Sequence, residues 1–148
     1  MGISALKLHA VRPNHPNLRF ALGDLEAIVL RQLWESKRPL SVRESQSRTA
    51  RSRPVAVTTV ATILDRLYRK GLVSRHLARE GSPHYLYSPK VTEEEFKQAV
   101  VKNVMEGLLQ GFNDVTVAYL AERMTASDGN DLHIVSKYLN RLRKKEKK

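Results

Sequence analysis

Thr58, Thr59, Thr62 and Arg66 are the residues whose types and spacing suggest chemistry in this sequence. Thr58, Thr62, Arg66 and Arg69 recur every three or four residues, so they share one side of a helix, with Thr59 beside them. A guanidinium pairs with the acceptor edge of guanine. A threonine offers a hydroxyl to a base edge and a methyl to the thymine methyl. Around them lies a second set suited to phosphate: Arg43, Arg48, Arg51 and Arg53 ahead, Arg69 at the end, and Arg75, His76, Arg79 and His84 behind. Cations of this kind hold a duplex backbone without reading its sequence. Asp65 lies near the same side and would repel phosphate. An ordinary solvated helix face has a similar pattern, so the neighbouring elements must decide.

The element that positions the threonines spans residues 54–71. Val60, Ile63, Leu64 and Leu67 form its apolar stripe opposite the threonines. Pro54 suits a helix start, and Gly71 suits the position just past a helix end. Upstream, residues 22–36 read as a core helix with Leu22, Leu25, Val29 and Leu33 on one face, widened by Ile28 and Trp34. Gly23 is a weak N-cap, with Glu26 at the capping-box position. Pro39, Leu40 and Ser41 form a short turn. Ser41 then caps a second helix to about Thr49, with Glu44 closing its capping box. Val42 is the only large apolar residue of that helix, which must therefore lean on its neighbours. Downstream, residues 72–79 alternate with period two, residues 80–83 are turn chemistry, and Tyr85, Leu86 and Tyr87 resume a strand. This hairpin carries Arg75, His76, Arg79 and His84 at its tip. Helix, turn, helix, loop, amphipathic helix and basic hairpin is the order of a winged helix-turn-helix.

The flanks differ in character. Residues 1–20 read as a basic flexible arm, broken by Pro13 and Pro16 and carrying Lys7, Arg12 and Arg19. Beyond residue 90 the predicted elements are three helices. Thr92 to Glu95 is a capping box opening the first, which runs to about Leu109; the second spans residues 115–124; the third starts near Ser127 or Asp128. Phe96, Val100, Met105 and Leu108 mark one stripe, and Leu120 lies on the next helix. Leu132, Val135, Leu139 and Leu142 run close to a heptad seam. These broad apolar faces without a core of their own predict dimerisation. The expected architecture is mainly α: a winged domain over residues 21–90, then a helical dimerisation region over 91–148 with a basic tail.

Charge supports this division. Of a net charge of +11, residues 1–90 hold 16 Lys and Arg against 6 Asp and Glu, and residues 91–148 hold 10 against 9. A basic module joined to a near-neutral one suits a polyanion ligand. There is no cysteine, so disulfides and thiolate chemistry are excluded, which fits a reducing cytoplasm. No apolar run approaches the roughly 18 to 20 residues that cross a bilayer. A Gly-rich phosphate loop and an HExxH motif are both missing, so no enzyme is expected, nor a cofactor. Of the five histidines only His76 and His84 can meet, and no metal site is expected. The expected partner is double-stranded DNA. A nonspecific architectural nucleic-acid binder would use the same basic surface.

The runs LGDLEAIVLRQLWE, TTVATILDRLYRKGLV and YLYSP resemble the penicillinase-repressor (BlaI/MecI) family of bacterial regulators over about residues 20–125. The resemblance implies a homodimeric repressor on an inverted-repeat operator, with Thr58, Thr59 and Thr62 on the operator-reading helix. It also implies release through a membrane sensor-protease that cuts an Asn-Phe bond. This sequence has no Asn-Phe: Val104 follows Asn103, and Asp114 follows Asn113. A copper-responsive branch uses paired cysteines, which are missing here. The second helix also departs from the family: Ser45 and Thr49 stand where the resemblance leads one to expect larger apolar residues, which implies looser packing than in relatives.

Overall fold

The computed structural model describes residues 11–12, 17–126 and 129–146. Two compact units divide the chain, residues 1–103 and 104–148. Helices α1 (Asp24–Glu35), α2 (Val42–Ala50) and α3 (Val57–Arg69) precede strands β2 (Val73–Ala78) and β3 (His84–Pro89), and a two-residue strand β1 (Leu40–Ser41) lies between α1 and α2. Helix α4 (Glu93–Gly111) continues into the second unit, where α5 (Asn113–Ala126) and α6 (Asn130–Glu146) follow. The architecture is a winged helix followed by C-terminal helices.

The core of the first unit is the set of apolar stripes read from the sequence. Val29, Leu30 and Leu33 of α1 meet Val60, Leu64 and Leu67 of α3, closed by Leu40, Val73 and Tyr87 from the sheet and by Leu72 just ahead of β2. Fully burying each such side chain stabilises by roughly 1.5 to 3 kcal/mol. The sheet is antiparallel in the order β1-β3-β2. Leu40 pairs with Tyr87, so the stretch expected as a plain turn adds a third strand. Two residues carry no readable period, which is why the pattern hid it. In the wing, Val73 pairs with Pro89, Arg75 with Tyr87 and Leu77 with Tyr85.

Several local expectations are corrected. Helix α3 starts at Val57, three residues after Pro54. Val55 packs on the core and Gln46 Nε2 donates to its carbonyl at 3.0 Å, which keeps the intervening backbone out of the helix. Gly23 occupies the N-cap of α1 without a side-chain bond, and Glu26 closes no capping box there. Its carboxylate instead meets Lys70 Nζ at 2.5 Å, and both side chains are largely buried. Residues 17–20 of the expected flexible arm form a 3-10 turn whose Leu18 is buried in the core. The arm's proline-bearing residues 13–16, and residues 1–10, lie outside the described residues.

Helix α2 is also not loose. Ser45 and Thr49 are fully buried and share a closed polar network with Gln32 of α1. Ser45 Oγ donates to Gln32 Oε1 at 3.0 Å, Gln32 Nε2 donates to Thr49 Oγ1 at 2.8 Å, and Thr49 Oγ1 donates to the Ser45 carbonyl at 2.9 Å. Satisfied polar groups replace the missing apolar ones.

Both expected capping boxes of α2 and α4 form. Glu44 N–H donates to Ser41 Oγ and Glu44 Oε2 accepts from Ser41 N–H at 3.0 Å. Glu95 N–H donates to Thr92 Oγ1 at 3.0 Å. The Ser41 N–H, and then Arg38, hold the Glu44 carboxyl below its ordinary range. A depressed carboxyl stabilises the fold above the unfolded range, and the contribution is lost as pH falls through the folded value. Glu44 is partly exposed, so screening leaves about 0.5 kcal/mol. Unfolding free energies from urea titration of the wild type and Glu44→Gln should therefore differ by that amount at neutral pH and converge in acid. A gap that persists below the carboxylate range would contradict the assignment.

The C-terminal end of α3 follows the sequence closely. Gly71 has φ of +81°, a conformation costly for any residue with a Cβ. Leu72 N–H donates to the Leu67 carbonyl at 3.0 Å and Gly71 N–H to the Tyr68 carbonyl at 3.1 Å. This is a Schellman closure, and its accompanying apolar pair is the buried Leu67 and Leu72.

Candidate nucleic-acid interface

Helix α3 buries Val60, Ile63, Leu64 and Leu67 and turns Thr58, Thr59, Thr62 and Arg66 to solvent. The four residues expected to read bases therefore share one open face. Thr62 Oγ1 donates to the Thr58 carbonyl at 3.1 Å. Its hydrogen is thus held by the helix, and Thr62 presents an acceptor lone pair and a methyl. An acceptor suits the amino groups of adenine or cytosine, and a methyl suits thymine.

The expected phosphate contacts divide into open and engaged groups. Arg43, Arg51, Arg53, Arg66 and Arg79 are exposed, and Arg48 is half-buried on α2. Arg53 also lines a cleft beside α1 with Arg31, Gln32 and Asp24. His84 is exposed, and its Nδ1 lies 2.8 Å from the Ser82 carbonyl. His76 is exposed on β2, opposite Leu86 rather than His84. Arg69 is highly exposed, with its Nε 2.9 Å from Asp65 Oδ2.

Arg75 departs most from expectation. It lies midway along β2, not at the hairpin tip, and is only partly exposed. Its Nη1 donates to Asp65 Oδ1 at 3.2 Å. Its guanidinium carbon stands 4.0 Å from the Tyr68 ring centroid and 4.4 Å from that of Tyr85. Hydrogen bonding to Tyr87 and then to Asp65 raises its hold on the proton. A residue with these partners is not a free phosphate contact. Asp65 in turn is paired with two arginines, Arg69 and Arg75. Tyr68 and Tyr85 were not legible as partners of Arg75, because aromatics at strand and helix spacing read equally well as core.

The residues assigned to dimerisation also divide. Phe96 and Val100 are buried in the core of the first unit. The Phe96 ring lies 6.0 Å from that of Trp34, whose Nε1 donates to the Val91 carbonyl at 2.8 Å. Their surface is already spent within the chain, and they are not on an association face. In the second unit Leu108, Leu120, Val135 and Leu139 are exposed and Met105 is half-buried. The side chains of Leu132 and Leu142 lie outside the described residues.

The penicillinase repressor family model matches residues 22–141. This chain belongs to the penicillinase repressor family. Transcriptional regulator BlaI of Mycobacterium tuberculosis, in strains CDC 1551/Oshkosh and ATCC 25618/H37Rv, is 30% identical over 112 residues, covering 75% of this chain and 79% of the relative. The family match spans the winged unit and most of the C-terminal helices, so both the threonine face of α3 and the exposed helices beyond residue 103 fall within the shared region. No helix among the described residues is long and apolar enough to cross a membrane.

Proposed function

We propose that this penicillinase-repressor family member represses transcription by binding, as a homodimer, to an inverted-repeat DNA operator. The observation that carries the reading is the outward face of α3. Thr58, Thr59, Thr62 and Arg66 are exposed in a row on a helix whose other side is locked into the core. In this reading α3 enters the major groove. Arg43, Arg51 and Arg53 hold the backbone on one side, and Arg79, His76 and His84 of the wing hold it on the other. The exposed C-terminal helices join two copies. Release by a membrane sensor-protease would need a bond other than Asn-Phe, which the sequence lacks.

Selection of bound duplexes from random DNA at physiological salt tests this. The expected product is a two-fold-symmetric motif with half-sites about one helical turn apart. Replacing Thr58 and Thr62 with alanine should relax preference at the matching base pairs, by about 1 to 3 kcal/mol for each pair read, and leave the salt slope unchanged. Equal loss on selected and random duplexes would favour a nonspecific architectural role instead.

A further inference from the structure

Asp65 is an acid on the helix face that, in the reading above, meets a polyanion. Its two carboxylate oxygens are engaged separately, Oδ2 by Arg69 at 2.9 Å and Oδ1 by Arg75 at 3.2 Å. Arg75 comes from β2, and its guanidinium lies against Tyr68 of α3 and Tyr85 of β3. Three elements thus converge on one planar cation. We propose that Arg75 is a positioning residue: the Asp65, Arg75, Tyr68 and Tyr85 cluster clamps the wing to the recognition helix and fixes the angle at which the wing meets DNA. The proposal rests on the DNA-binding reading.

The wing needs such a device. Strand β1 pairs only with Leu86 and Tyr87 of β3, so the outer part of the β2–β3 hairpin has no third strand. A two-stranded ribbon alone is marginally stable in water and twists readily. Phosphate contacts from Arg79 and His84 are productive only if the ribbon holds its angle, and pre-set geometry is what improves affinity without new contacts. A guanidinium can stack on ring faces while bonding a carboxylate in its own plane. A lysine ammonium keeps the charge but cannot do both. The pairs are partly exposed and each contributes little to global stability. Their effect is on orientation.

The competing view is that Arg75 touches phosphate and Asp65 merely repels it. The two views give opposite signs for one substitution. Asp65→Asn removes a negative charge, so repulsion predicts tighter binding to every duplex. The clamp predicts weaker operator binding, by on the order of tenfold, with random DNA nearly unaffected. Arg75→Lys preserves charge, so a phosphate role predicts near-normal affinity. The clamp predicts the same tenfold loss and an unchanged salt slope.

The experiment uses the full chain. Wild type, Asp65→Asn, Arg75→Lys and the double variant are titrated with selected and random duplexes from about 50 to 200 mM salt. Amide hydrogen exchange of β2 and β3 is followed in the DNA-free proteins. The expected result is faster wing exchange, an operator-specific loss in both single variants, and a double variant no worse than either. Tighter binding by Asp65→Asn, near-normal operator binding by Arg75→Lys, or unchanged wing exchange would overturn the clamp. A wild type without sequence preference would overturn the DNA reading instead, while the exchange data still test the clamp. Should Asp65→Asn melt below assay temperature, the charge-preserving Arg75→Lys decides alone.

Discussion

Glu26→Ala should destabilise the winged unit by about 3 to 5 kcal/mol, seen as a lower urea midpoint with an unchanged denaturant slope. The reason is the ion pair between Glu26 and Lys70, whose side chains are 10% and 16% exposed. Truncating one partner leaves the other charge buried without compensation, and that penalty exceeds the net worth of the pair. Each charge also stands at the helix end that favours it. Glu26 lies in the first turn of α1, and Lys70 caps the C-terminus of α3. The pair therefore joins the start of α1 to the end of α3, beside the Schellman closure at Gly71. A double replacement by apolar residues of similar volume, Glu26→Leu with Lys70→Met, should recover most of the loss. Recovery would show that the single variant failed through an orphaned charge. A single-variant cost below about 1 kcal/mol would mean that water reaches the pair and that it behaves as a surface bridge.

This pair also marks where sequence reading stops. Glu26 sits three residues after a plausible N-cap, so local pattern assigns it to a capping box. Its actual partner is 44 residues away in sequence, and no short-range pattern encodes that pairing. Features with local causes were legible: the apolar stripe of α3, the capping boxes at Ser41 and Thr92, and the glycine closure at Gly71. Those same stripes could not say what they pack against. The stripe of α4 reads as continuous, yet Phe96 and Val100 complete the first unit's core while Leu108 is left exposed. Ser45 and Thr49 read as packing defects because a hydrophobic pattern carries no information about a Gln32 side chain satisfying both. The threonine face was legible because helical spacing alone puts it opposite the stripe. The partners of Arg75 were not legible because charge identifies a cation but not what it meets, and Asp65, Tyr68 and Tyr85 come from two other elements.

The largest effect on function is expected in the second unit. We propose that Leu120→Glu together with Leu139→Glu will convert a dimer to a monomer and weaken operator binding by roughly a hundredfold or more. Among the described residues of this unit only Thr116 is buried. Phe112, Val115 and Tyr119 are 66%, 73% and 61% exposed, and Leu120, Val135 and Leu139 are open as well. Several large apolar side chains exposed on consecutive helices are the raw material of an association surface. In the proposed repressor the occupant is a second copy of the chain, which would also serve DNA binding. Two linked winged units make the second half-site an intramolecular event, and avidity of this kind reaches 10² to 10⁴ without new contacts. Glutamates at both positions would bury charge at the joint, which is costly unless it is paired. The variant should therefore sediment as a monomer at micromolar concentration and keep its half-site preference, because the threonine face of α3 is untouched. Operator titration should show the loss of affinity while binding to an isolated half-site stays near wild type. A variant that remains dimeric, or a wild type that sediments as a monomer yet binds the full operator tightly, would refute the assignment of these helices. Retained half-site preference in a monomer would separate the two tasks physically, with base reading in the first unit and avidity in the second.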